Sequence, residues 1–202
     1  MTTRAVSRRS ALRRIGAGAG ALTLLPFLSD EGLAAFLKIQ AAGAAPTLKV
    51  LSPSQYATVE ALVEAIIPAD ERSPGAKEAR VADYIDLLLS ESPDEAVRQT
   101  WLEGLAALDG EAKTRFGAPF LLLEDMQVDA LLNGISRNEA AAEKTPLEAF
   151  FTTTKQATIH GYYTSEIGIH KELRYKGNQI LAEFVGCQTQ DGKDCPHCGQ
   201  KA

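Results

Sequence analysis

The stretch LSPSQYATVEALVEAIIP, residues 51–68, decides the fold of this chain. Ser52 comes directly before Pro53, and Gln55 follows three positions after Ser52, which is the pattern of a capping box with proline in the first helical turn. Apolar residues then recur three and four positions apart, which is the spacing of one helix face. They are Val59, Leu62, Val63, Ile66 and Ile67. Pro68 ends the pattern because proline cannot continue a helix.

The same start signal occurs twice more, as Ser92-Pro93-Asp94-Glu95 and as Thr145-Pro146-Leu147-Glu148. Each precedes a run of apolar residues at helical spacing. The signals predict helices from 92 to about Gly110, followed by a short piece over 111–116, and from 145 to about Tyr163. Helical spacing also predicts helices over 77–90 and 124–135, and turn residues predict a loop over 69–76.

No part of the chain alternates long enough to predict a sheet, and no period of 20–50 residues recurs. We therefore expect an all-α fold, a compact bundle of about five helices with an irregular C-terminal extension. The sequence divides into a signal region at 1–45, a helical domain at 46–187 and a polar, cysteine-containing tail at 188–202.

The N-terminal region carries an export address. Ser7, Arg8, Arg9 and Leu12 form the pattern S-R-R-x-x-L, and an apolar run follows from residue 15 to 28. A basic segment before a short apolar segment is typical of a signal peptide, and paired arginines indicate the twin-arginine (Tat) route. The apolar run would span about 21 Å as a helix, less than the roughly 30 Å core of a bilayer. The sequence thus predicts export to the periplasm through the Tat translocase.

The sequence leaves the position of signal-peptide cleavage open. Ala42-Gly43-Ala44 has the small-x-small form that signal peptidases prefer, and residues 31–40 lie between it and the apolar run. That intervening segment is compatible either with a long signal region or with an uncleaved helical arm.

The charge distribution separates the signal from the body. Residues 1–45 hold six Lys/Arg and two Asp/Glu, whereas residues 46–202 hold 15 and 24. The acidic body argues against a nucleic-acid partner, and a basic N-terminal arm that binds nucleic acid or anionic lipid is the weaker interpretation of the arginines.

Three cysteines, Cys187, Cys195 and Cys198, all lie near the C-terminus. Gly199 follows Cys198 where a haem c site needs histidine, so the C-x-x-C spacing does not predict covalent haem. The sequence C-P-H-C resembles the active site of periplasmic thiol oxidases, but no βαβ pattern accompanies it. The remaining alternatives are a disulfide within the tail, a disulfide to Cys187, or a metal site that includes His197.

Little else in the sequence predicts a reactive centre. His160 stands beside Gly161 near the end of a predicted helix, where a packing role is commoner than a general base. The acidic pairs Asp70/Glu71 and Asp83/Asp86 are expected to be helix caps and solvated helix faces. We expect no catalytic, cofactor-binding or metal-binding residue in this chain.

Two segments resemble the signatures of the gluconate 2-dehydrogenase subunit 3 family. The first is IIPAD at 66–70 with SPGA at 73–76 and Asp86. The second is FF at 150–151, TIHGYYTSEIG at 158–168, LRY at 173–175 and GC at 186–187. The resemblance spans nearly all of residues 51–187 and leaves out the tail.

This resemblance implies a non-catalytic small subunit. Such subunits pair with a large FAD-containing dehydrogenase subunit of the glucose-methanol-choline (GMC) type that oxidises a sugar or sugar acid. A multihaem cytochrome c often accepts the electrons, and haem c or an iron–sulfur cluster is expected in partner subunits if at all. The small subunit carries the Tat signal and escorts the flavoprotein, and the complex would sit at the inner membrane. The alternative is a stand-alone periplasmic thiol-redox or metal-binding protein.

Within the two signatures, rigid backbone and aromatic rings are the candidate partner contacts. From the loop these are Pro68, Asp70, Pro74, Gly75 and Ala76, and from the helix end they are His160, Gly161, Tyr162 and Tyr163. Tyrosine buries a large area at low entropic cost, which favours it at interfaces. Because adjacent helical residues point in different directions, one tyrosine is free to bind a partner while the other fills the core.

Overall fold

The computed structural model describes residues 28–43, 45–141, 143–175 and 177–178 of the 202-residue chain. These residues contain no β-strand, so the predicted all-α class is confirmed. The α-helices are α1 (Asp30–Ala42), α2 (Pro53–Ile66), α3 (Val81–Glu91), α4 (Glu95–Phe116), α5 (Asp125–Ser136) and α6 (Pro146–Tyr163). A 3₁₀ turn at Phe120–Leu122 and a π-helical turn at Gly168–Glu172 complete the described elements.

Two of the three predicted start signals form capping boxes. The Ser52 side chain accepts a hydrogen bond from the Gln55 main chain, and the Gln55 side chain accepts one from the Ser52 N–H at 2.9 Å. Thr145 and Glu148 form the same reciprocal pair at the start of α6. These bonds satisfy amides that would otherwise lack a partner in the first turn, which explains why both helices begin where the sequence predicts.

Two predicted boundaries are wrong, and local hydrogen bonding explains both. Residues 76–80 form a turn, in which the Val81 N–H bonds to the Ala76 oxygen, so α3 begins at Val81 instead of Lys77. Helix α4 begins after Asp94 instead of at Ser92, because the Asp94 carboxylate accepts the Ala96 N–H at 2.8 Å. Carboxylates and hydroxyls are comparable N-caps, so sequence alone does not choose between them.

A third predicted boundary, at Gly110, is also wrong. Helix α4 runs through Gly110 without interruption and ends at Gly117, whose φ of +77° is a left-handed conformation. Glycine costs a helix interior about 1 kcal/mol, which the packing of a 22-residue helix offsets. A left-handed C-terminal residue is the position where glycine is favoured.

Helix α3 lies at the centre of the bundle. All nine residues from Val81 to Leu89 are buried, and helices α1, α2 and α6 pack around this helix. Helices α4 and α5 also pack against α6. In the contact between α4 and α6, the rings of Trp101 and Phe150 meet edge to face at 5.1 Å. One continuous apolar core therefore joins the helices.

The first helix belongs to this bundle. Helix α1 covers the whole segment at 31–40 that the sequence leaves undecided between signal and helical arm, and its Phe36 is fully buried. Across the described residues, none of the helices combines the length and the apolar character needed to cross a membrane.

Candidate partner-binding face

The two signature segments, far apart in sequence, meet at one end of the bundle. The Tyr162 hydroxyl donates a hydrogen bond to the main-chain oxygen of Pro74 at 2.7 Å. The Ser73 hydroxyl lies 2.7 Å from the same phenol oxygen, and it donates because the single phenol hydrogen points at Pro74. Tyr162 is 2 % exposed and burial raises its pKa. The C-terminal turn of α6 and the loop after α2 are thereby fastened together.

The loop is also fixed from within. Asp70 accepts the N–H groups of Arg72 and Ser73, both at 2.8 Å, and these bonds lower the pKa of its carboxyl. Asp70 therefore caps a turn within the loop, whereas the sequence predicted a helix cap or a solvated helix face. A carboxylate that accepts two main-chain amides mimics one turn of backbone, so the loop keeps a defined shape although its tip is exposed.

A second carboxylate holds the other side of the loop. Glu64 of α2 accepts the N–H of Ala69 at 3.1 Å and the N–H of Lys77 at 2.8 Å. A Cβ added at Gly75 would lie 2.3 Å from the Glu64 carboxylate oxygen. Glycine at this position allows the backbone to pass close enough to Glu64 for these bonds to form.

Close approach of the backbone to neighbouring atoms also explains two glycines of the second signature, Gly161 and Gly168. A Cβ on Gly161 would lie 2.9 Å from the ring of Tyr84, so glycine allows α6 to pack directly against α3. Gly168 passes so close to the Tyr162 main-chain oxygen that a Cβ there would lie 2.0 Å from it. Both glycines therefore serve packing within this chain.

The candidate contact residues divide into buried and exposed sets. Gly75, Ala76, Gly161 and Tyr162 are buried, and Pro74 and His160 are partly buried. Pro68, Asp70 and Tyr163 are exposed, and Tyr163 packs edge to face on Tyr162 at 5.3 Å. We call the surface formed by loop residues 68–72 and by Tyr163 the signature face.

A groove adjoins the signature face at Pro68. It lies between α2, the 3₁₀ turn and the start of α5 and encloses about 520 Å³. Alanines of α2 and the side chains of Leu121, Leu123 and Val128 line it, with carboxylates at its rim. Nearby, Leu122 is 71 % and Met126 79 % exposed. Exposed apolar surfaces bordered by polar groups often mark the sites at which proteins bind a partner.

Two buried carboxylates were mispredicted as solvated groups. Asp86 is 3 % exposed and accepts the N–H groups of Lys49, Val50 and Leu51 at 2.6, 3.0 and 2.8 Å. It fixes the segment that leads into α2, which gives a structural role to this member of the first signature.

Asp83 is the second of these carboxylates, at 4 % exposure. It accepts a hydrogen bond from the Tyr56 hydroxyl at 2.9 Å and forms an ion pair with Arg80 at 3.0 Å. Burial and the neighbouring Asp83 raise the pKa of Tyr56. Arg80 adopts a left-handed φ of +57°, so the residue that turns the chain into α3 also neutralises the buried charge.

Several predicted residues lie outside the part of the chain that the structure describes. They are the Tat residues Ser7, Arg8, Arg9 and Leu12, and the cysteines Cys187, Cys195 and Cys198. Among the described residues, no three His, Cys, Asp or Glu side chains are grouped so as to hold a metal ion.

The chain is thus a small helical protein. Its signature residues fasten the loop after α2 to the end of α6 in one fixed arrangement, with residues of both segments exposed. The chain belongs to the gluconate 2-dehydrogenase subunit 3 family, whose family model matches residues 53–179. The match covers more than half of the chain and includes the first signature and residues 150–175 of the second, whereas Gly186 and Cys187 lie beyond its end. Comparison with curated proteins and with solved structures found no match.

Proposed function

We propose that this chain is the non-catalytic small subunit of a periplasmic FAD-dependent dehydrogenase complex of the GMC type. It carries the Tat signal and escorts and stabilises the large flavoprotein subunit, which oxidises a sugar or sugar acid. Membership of a family named for a dehydrogenase subunit supports this role. The observation that carries the proposal is that both family signatures converge on one rigid face.

The signature face has the properties that partner binding requires. Its backbone is held by Asp70, Glu64 and Tyr162, so little conformational entropy is lost when a partner covers it. The exposed aromatic ring of Tyr163 packs on Tyr162, which is bonded to this rigid loop. The adjoining groove extends the surface with exposed leucine and methionine side chains, which contribute apolar area.

The chemistry of the described residues supports this division of labour between the subunits. The buried carboxylates bind main-chain amides, a tyrosine and an arginine of this chain, and so act as structural groups. In the proposed complex, FAD resides in the large subunit, and haem c or an iron–sulfur cluster in further subunits. A multihaem cytochrome c is the expected electron acceptor, and the complex would associate with the inner membrane.

The escort role is tested by export of the partner. Replacing Arg8-Arg9 by Lys-Lys keeps the charge but removes the twin-arginine address, so both this chain and the flavoprotein should stay in the cytoplasm. A chain in which Arg4 and Arg14 are both replaced by lysine is the matched control and should export normally. Periplasmic flavoprotein in the presence of the Arg8-Arg9 variant would contradict the escort role.

The alternative function, a stand-alone thiol-redox or metal-binding protein, is favoured by the sequence C-P-H-C at residues 195–198. It predicts a stoichiometric metal, or reductase activity that Cys195→Ser abolishes. Metal analysis and thiol counting on the exported chain distinguish it from the subunit role, for which neither is required.

A further inference from the structure

Helix α1 is attached to the bundle at both ends. At its start, the Ser29 N–H and hydroxyl donate to the Glu91 carboxylate at 2.8 and 2.7 Å. Near its end, the Gln40 side chain donates to the Ala79 oxygen at 2.8 Å. Both acceptors lie outside the helix, at the end of α3 and in the turn that precedes α3. The helix is therefore anchored to the bundle at both of its ends.

The middle of α1 is part of the core. Phe36 is 0 % exposed and its ring meets Tyr84 edge to face at 5.3 Å. Gly32 is buried, and a Cβ there would lie 2.2 Å from the Glu91 carboxylate oxygen. Buried aromatic rings dominate core energetics, and glycine at position 32 allows α1 to approach the end of α3 closely.

We propose that α1 is a permanent part of the exported domain, and that any signal-peptidase cut falls before Leu28 instead of after Ala44. A cut after Ala44 would detach the helix from the chain. Phe36 would then be held by non-covalent contacts alone, and its loss would expose the Tyr84 ring and leave Glu91 without its Ser29 partner. The small-x-small pattern at residues 42–44 coincides with the C-terminal end of this helix, where Gly43 has a left-handed φ of +57°. That left-handed position accounts for Gly43 without a peptidase.

The inference uses the export step of the proposed function, and the test separates the two. The full chain with a C-terminal tag is expressed in a host that has the Tat route, and the periplasmic species is analysed by intact mass and N-terminal sequencing. We expect every periplasmic species to contain residues 28–43. A main species that begins at Ala45 would overturn the inference and leave the escort role standing.

A second measurement uses matched neighbours on α1. Phe36 is fully buried whereas Leu37 is 43 % exposed. In the exported protein, Phe36→Ala should lower the thermal midpoint by roughly 10 °C and Leu37→Ala by less than about 3 °C. Equal midpoints for the two variants would show that the mature domain lacks the helix, as would be expected if processing frees this site for a partner. If no chain is exported, the escort role fails, and the same comparison on the cytoplasmic chain still tests whether α1 belongs to the fold.

Discussion

The hydroxyl of Tyr162 donates a 2.7 Å hydrogen bond to the main-chain oxygen of Pro74, across 88 residues of sequence. This contact joins the last turn of α6 to the loop after α2 and brings the two family signatures together. Because the phenol is buried and bonded on both sides, it fixes the distance between loop and helix and so defines the face that the exposed Tyr163 extends.

Removal of this hydroxyl should loosen the face without disturbing the core. Tyr162→Phe keeps the ring but removes both hydrogen bonds of the phenol, and leaves the Ser73 hydroxyl and the Pro74 oxygen only their own 3.4 Å contact. We expect the free energy of unfolding to fall by about 1–2 kcal/mol in denaturant titrations. Tyr163→Phe, on the exposed neighbour, should change it by less than about 0.5 kcal/mol. Equal effects of the two variants would contradict the structural role of Tyr162.

Loss of the Asp86 carboxylate should lower the free energy of unfolding more than loss of most other polar groups. Asp86→Asn keeps the shape but turns an amide NH₂ towards N–H groups that need an acceptor. We expect a loss of about 2–4 kcal/mol in the free energy of unfolding. Asp129→Asn on the exposed surface of α5 is the control and should be nearly neutral. A neutral Asp86→Asn variant would show that the segment before α2 is held by other contacts.

Two glycines of α4 should respond to alanine with opposite signs. A Cβ on Gly104 would lie 2.5 Å from Phe150, so Gly104→Ala should push α6 away and destabilise the protein by about 1–3 kcal/mol. Gly110 has open space around it, so Gly110→Ala should stabilise by about 0.5–1 kcal/mol through helix propensity. Thermal unfolding of the pair checks both signs, and destabilisation by Gly110→Ala would imply a break in the helix there.

Alkaline pH should destabilise the fold through three tyrosines. The pKa values of Tyr56, Tyr84 and Tyr162 are raised, in each case mainly by burial, above the ordinary value of 10.0. Above about pH 10 the unfolded chain loses these phenol protons while the folded chain keeps them, so the free energy of unfolding falls as pH rises. Denaturant titrations between about pH 8 and pH 11 should show a plateau followed by a decline. A constant value across that range would contradict the burial of these hydroxyls.

The sequence predicts much of this fold because its helices begin with explicit chemical signals. The boxes at Ser52 and Thr145 require residues within four positions of each other, so local sequence determines these starts. The predicted helix end at Gly110 is wrong because glycine ends some helices and is tolerated within others. Packing of α4 against α6 and the 3₁₀ turn decides between the two outcomes, and local sequence does not show that packing.

The candidate face was harder to predict because its contacts are long-range. Sequence spacing indicated that adjacent tyrosines point in different directions, and Tyr162 is buried while Tyr163 is exposed. It did not indicate that Tyr162 binds Pro74, or that Asp86 holds main-chain amides 35 to 37 residues earlier. Such pairings depend on how α3 and α6 pack, which no local pattern specifies.

The most direct test of the subunit role is purification of the tagged full chain from the periplasm of its native host, followed by flavin quantification. We predict that a large flavoprotein co-purifies with equimolar FAD. Tyr163→Ala on the signature face should reduce its recovery, and Gln99→Ala on the exposed surface of α4 should not. Recovery of the wild-type chain alone and free of flavin would contradict the account.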